Sequence, residues 1–82
     1  MNPRVIKVEA LEEYKLKLIF TNNEVKIFDT NPYLNKGVFK ELKNFEIFKK
    51  VKVLMGSITW PNGQDFCPDT LYEESIKINL TK

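Results

Sequence analysis

Histidine is absent from this sequence, and that absence removes more chemistry than any residue present adds. Histidine is the usual general base, the usual proton shuttle and the commonest transition-metal ligand. Without it, a Ser-His or Cys-His nucleophile cannot be assembled. Cysteine is nearly as scarce. Cys67 stands alone, which excludes an internal disulfide and a zinc site built from Cys and His. Small exported domains usually depend on disulfides, so a reducing cytoplasm is the expected compartment. Three glycines, none in a phosphate-cradling spacing, leave no P-loop and no dinucleotide fingerprint. No apolar run approaches the ~20 residues that span a bilayer, and the start of the sequence has no signal-peptide core. The sequence therefore predicts no enzyme, no cofactor and no membrane association.

What is present is one domain's worth of polypeptide: 82 residues, 43% hydrophobic and 29% charged, with no low-complexity stretch, repeat or linker. Net charge is +2 but unevenly spread. Residues 1–35 balance. Residues 36–52 carry Lys36, Lys40, Lys43, Lys49, Lys50 and Lys52 against only Glu41 and Glu46. Residues 53–82 are net acidic through Asp65, Asp69, Glu73 and Glu74. Such a dipole can steer a charged partner, and salt weakens it.

The expected fold is α+β: a small mixed or antiparallel sheet, built from an N-terminal three-stranded meander plus later strands, with two or three short helices. In Tyr14-Lys15-Leu16-Lys17-Leu18-Ile19-Phe20 the even positions are apolar and Lys15 and Lys17 are not, the alternation of a half-buried strand. Thr21-Asn22-Asn23-Glu24 reads as a hairpin turn, because Asn tolerates left-handed backbone. Val25 and Ile27 begin the return strand, and Ile6 and Val8 mark one upstream, so residues 4–29 read as the meander. Val38, Phe39, Leu42 and Phe45 predict a helix over about 38–43. Asn44 reads as the cap of a further turn carrying Phe45 and Phe48, with Glu46 in its first turn. Val51–Leu54 and Ser57–Trp60 read as strands about Gly56. Trp60-Pro61-Asn62-Gly63 is a turn, and Cys67-Pro68-Asp69 opens a helix, since proline suits its first position. Ile76-Lys77-Ile78-Asn79-Leu80 alternates as a last strand, expected at a sheet edge where it can recruit another polypeptide or simply end the sheet.

Each candidate site has a plain structural counterpart. Cys67 at a helix start can be an activated thiol, but Asp65 and Asp69 oppose that, and a half-buried packing role is the simpler reading. Asp65, Asp69 and Glu73 fall at helical spacing and offer oxygen ligands, or they are solvated first-turn acids. The six lysines at 36–52 can bind phosphates without reading sequence, or they form the wet side of an amphipathic stretch. With Arg4 the only arginine, base readout has little support. Trp60 with Tyr72 can make an aromatic binding platform, or Trp60 is a lid on the core.

The block Trp60-Pro61-Asn62-Gly63-Gln64-Asp65-Phe66-Cys67-Pro68-Asp69-Thr70-Leu71-Tyr72 resembles the signature of the DUF2442 family of unknown function. Phe20…Glu24…Phe28-Asp29, Gly37-Val38-Phe39…Leu42 and Phe48-Lys49-Lys50-Val51 follow in that family's order, so the resemblance spans roughly residues 5–75 of a single domain, 1–82. It implies a small bacterial or archaeal α+β protein without catalytic residues to carry over. Some members add a helix-turn-helix, which none of these residues resembles. Others are encoded beside a second small protein, which has prompted toxin–antitoxin-like suggestions. The functional expectation is a non-catalytic interaction module, antitoxin-like or accessory. Its partner would be a neighbouring gene's product or a second copy, through Trp60, Asp65, Asp69 and Tyr72. The alternative is non-specific nucleic-acid binding through the six lysines.

Overall fold

Alternation and turn chemistry resolve, in a computed structural model that describes residues 2–77, into two sheets and two short α-helices. Strands β1 (Val5–Leu11), β2 (Lys15–Phe20) and β3 (Val25–Asp29) form the meander, all antiparallel. After α1 (Phe45–Phe48) come β4 (Lys52–Leu54) and β5 (Ser57–Thr59), a separate hairpin, and then α2 (Pro68–Glu74). A last strand, β6 (Ile76–Lys77), pairs antiparallel with β3, giving the sheet order β1-β2-β3-β6. The expected edge strand is thus present over those two residues, and 78–80 of the proposed 76–80 lie outside the described residues.

Turn residues set the registers. Phe20 N–H donates to Glu24 O at 2.9 Å and Asn23, at φ 70, takes the left-handed position of a three-residue loop. The Trp60 turn repeats this geometry: Gly63 N–H donates to Trp60 O at 2.9 Å, Trp60 N–H to Gln64 O at 3.0 Å, and Gly63 sits at φ 96. The β4–β5 hairpin instead uses a two-residue turn with both Met55 and Gly56 at positive φ. That hairpin is tied to the larger sheet where Val5 N–H donates to Gly56 O at 2.9 Å.

Leu16, Leu18 and Phe20 point to one face of β2 and are fully buried with Val5, Phe28, Phe48, Ile58, Trp60 and Leu71. A bulge between Val5 and Lys7 shifts the register, so Val5, Val8 and Ala10 all face inward while Ile6 is turned out to solvent. Tyr14 is not part of strand β2. Both Glu13 and Tyr14 sit at φ 62 in the corner between β1 and β2, and the strand begins at Lys15.

The segment between β3 and β4 holds only short helical pieces. The helix expected at 38–43 is a 3₁₀ helix, Gly37–Lys43. Three residues per turn align Phe39 with Leu42, which is buried, and leave Val38 66% exposed, off the apolar side where a 3.6-residue period had put it. Asn44 caps α1 as expected, its side-chain oxygen accepting from Glu46 N–H at 3.0 Å. Side chains from elsewhere hold this segment by its carbonyls. Tyr14 hydroxyl donates to Lys43 O, the Gln64 amide to Val38 O at 2.9 Å, and the Trp60 indole to Phe48 O at 2.8 Å.

Candidate functional surfaces

Register decides which side chains of the large sheet reach solvent. Directly opposed residues share a face, and the pairs Ile19↔Val25, Lys17↔Ile27 and Ile27↔Ile76 oppose the buried set Leu16, Leu18 and Phe28. Ile19, Val25 and Ile27 therefore lie on the outer face, outside the core cluster, and Ile76 beside them is 74% exposed. Around this aliphatic stripe the charges are matched across strands. Glu9 opposes Lys17, and Lys15 opposes Asp29 while also pairing with Glu13 at 3.6 Å. A shallow depression lined by Lys7, Glu9, Lys17 and Ile19 borders the stripe.

The proposed Trp60–Tyr72 platform does not exist. Trp60 is 1% exposed, with its ring against Phe48 and Phe66, so the core reading of this residue is the correct one. Its indole N–H is kept from being stranded by the Phe48 carbonyl, to which it donates inside the core. Tyr72 is half-buried elsewhere, edge-on to Phe20. Lys26, pointing inward from β3, lies over the Tyr72 ring at 3.7 Å and donates to its backbone carbonyl. The Tyr72 hydroxyl donates to Glu24. That bond, with the Asn22 amide and Lys77 at 3.2 Å, holds the Glu24 carboxyl down to about 2, and the same bond to Glu24 pushes the Tyr72 hydroxyl up. The cluster is a structural clasp between β3, α2 and β6.

The acidic trio is also separated. Asp65 precedes α2 and is bridged to Thr59, so only Asp69 and Glu73 share the helix, where Asn2 Nδ2 donates to them at 3.4 and 3.0 Å. Among the described residues no three side chains are grouped to hold a metal ion. Cys67 is exposed rather than half-buried, because the N-cap position turns it out of the core that Phe66 and Leu71 enter on either side. It edges a shallow groove with Arg4, Leu54, Met55, Asp65 and Pro68.

All six lysines of 36–52 are exposed. Lys36 lies over Tyr33 at 5.6 Å, and Lys40 and Lys43 occupy the last turn of the 3₁₀ helix, where bases suit the free carbonyls. Lys49 pairs with Glu46 at 3.1 Å, and it alone of the six has a carboxylate partner among the described residues. Lys50 and Lys52 complete the set beside and within β4.

The aliphatic stripe is what sequence reasoning missed. Ile19 was the visible signal, an apolar residue on the lysine side of the β2 alternation. The other was Phe28, whose burial puts Val25 and Ile27 in the opposite phase of β3.

No helix among the described residues is long and apolar enough to cross a membrane. A family model described as "Protein of unknown function (DUF2442)" matches residues 5–77, nearly the whole length. No curated protein and no solved structure matches.

Proposed function

Because the protein belongs to the DUF2442 family, whose description assigns no activity, we propose from its surface that it works by contact: a non-catalytic module that docks another protein. The observation carrying this reading is the aliphatic stripe on the outer face of the sheet, Ile76 exposed and Ile19, Val25 and Ile27 half-buried, all outside the core cluster. The aliphatic surface such a stripe leaves in water gains free energy when covered. The matched charges beside them leave little net field for a polyanion, which favours a protein with its own apolar surface. Beside the stripe, β6 presents a strand to which a partner segment can add. The role that fits is an accessory or antitoxin-like half of a two-protein system in a prokaryotic cytoplasm, where a lone exposed thiol stays reduced.

The test is a binding titration with the purified product of the neighbouring gene, run on wild type and on Ile27→Lys. The Ile27 side chain lies on the outer face, opposite Lys17 and outside the core cluster, so circular dichroism first checks that the variant is folded, and affinity should then fall at least about tenfold. Equal affinities would sink the reading, as would absence of binding at micromolar concentrations. Sedimentation of the protein alone separates a second copy from a different partner.

A second reading is favoured by one observation: five of the six lysines lack a carboxylate partner among the described residues. Non-specific nucleic-acid binding through them predicts affinity falling steeply with salt, the slope shrinking by about 0.9 for each phosphate contact removed. Fluorescence anisotropy with Lys50→Ala/Lys52→Ala reads that slope, and no binding at low salt rules the patch out.

A further inference from the structure

We propose that Asn62 is a fold-gated deamidation site, kept unreactive by Glu41 and converted when its turn opens. Asn62 is followed by Gly63, whose backbone nitrogen has no side chain to hinder it, and the turn is exposed. In the reaction that nitrogen attacks Cγ of Asn62. The Gly63 nitrogen gives up its proton, an N–C bond forms, the bond between Cγ and Nδ2 breaks, and the leaving nitrogen takes up a proton and departs as ammonia, giving a five-membered cyclic imide. Water then adds at one of the two imide carbonyls and reopens the ring as aspartate or isoaspartate. One water is consumed, one ammonia is released, and no oxidant is involved.

Access of water is not what restrains this chemistry, since both Asn62 and Glu41 are exposed. Two hydrogen bonds restrain it. Gly63 N–H, the nucleophile, is spent on Trp60 O at 2.9 Å. The departing amide is tethered, Asn62 Nδ2 donating to Glu41 Oε1 at 2.9 Å. The same carboxylate oxygen accepts from Gln64 Nε2 at 2.9 Å, so the tether is anchored to a buried residue rather than to a free surface group. Both bonds must break before nitrogen and Cγ can meet.

The change is one-way. Aspartate at 62 sets a second carboxylate where the amide donor stood, against Glu41, and the tie cannot be remade on refolding. Each opening of the turn is therefore a chance to lose the tie between the Trp60 turn and the 3₁₀ helix permanently, with net charge falling by one.

The test follows conversion at residue 62 by peptide mass spectrometry in the full-length protein at mildly alkaline pH, native and in urea. Native conversion should be slower on the order of a hundredfold, for two broken bonds of which one is charge-assisted. Glu41→Ala should speed native conversion about tenfold and leave the rate in urea unchanged, with Glu41→Gln between it and wild type. Gly63→Ala, whose added methyl group meets nothing within 4 Å, should fold and should slow conversion in urea, identifying the Gly63 nitrogen as nucleophile. Native and urea rates within about twofold of each other would overturn the proposal, since even one lost hydrogen bond exceeds that factor. So would a Glu41→Ala native rate equal to wild type.

Discussion

Replacing Trp60 with phenylalanine tests whether this residue is a core member or a recognition surface. The ring contacts with Phe48 and Phe66 largely survive the change, so the main loss is the indole donor to Phe48 O at 2.8 Å. A buried carbonyl stripped of every donor costs about 1–3 kcal/mol. Here Val51 N–H still reaches the same oxygen at 3.3 Å, which keeps Trp60→Phe near about 1–2 kcal/mol. In a domain this size each kcal/mol moves Tm by about 4–8 °C, so the melt followed by far-UV circular dichroism should drop by roughly 4–15 °C. Trp60→Ala removes the ring as well and should lose about 3–5 kcal/mol, a large share of the ~4–12 kcal/mol available to 82 residues. A phenylalanine variant that melts with wild type refutes the buried-donor argument. One that melts normally but loses a partner returns Trp60 to the surface role that its burial denies.

Three further outcomes follow from the same structure. The Glu24 carboxyl is held at about 2, below its ordinary value, so its contribution is complete above about pH 5 and is lost as pH falls toward about 2. Denaturant midpoints across that window should show a shallower acid loss in Glu24→Gln and in Tyr72→Phe than in wild type. Gly56→Ala and Gly63→Ala both place alanine at positive φ, but at Gly56 the new Cβ meets the Arg4 side chain at 3.1 Å and at Gly63 it meets nothing. Chemical denaturation should show about 1 kcal/mol lost at 63 and clearly more at 56. Asn44→Ala removes the cap of α1 and should cost about 0.5–2 kcal/mol in the same assay, with no change in the shape of the transition.

The parts of the fold legible in the sequence were those with strictly local causes. The β2 alternation from Lys15 onward, an asparagine at the left-handed position of the first hairpin, Asn44 as a cap and Pro68 at the first position of α2 each needed only a few neighbours, and each stands in the turn, strand or helix where it was expected. Tertiary partners decided the remainder. Trp60 reads as a core lid or as a binding platform until the Phe48 carbonyl is seen beneath it, and nothing local in sequence places Lys26 over the Tyr72 ring. Asp65 appeared to join Asp69 and Glu73 only because helical spacing was extended three residues upstream of where α2 begins. The outer aliphatic stripe depended on the phase of β3, which the β2–β3 loop sets and local composition does not.

Where the stretch from Gly37 to Phe48 is gripped has a further bearing on how this protein can diverge. Tyr14, Gln64 and Trp60 seize carbonyl oxygens of Lys43, Val38 and Phe48, groups that every amino acid possesses. Leu42 and Phe48 enter the core, Phe39 and Ile47 pack against it, Phe45 meets Tyr14 and Glu41 ties to Asn62 and Gln64, while the lysines there answer to solvent. The lysines of this stretch can therefore be exchanged for other side chains, giving new surface chemistry while the framework beneath stays unaltered.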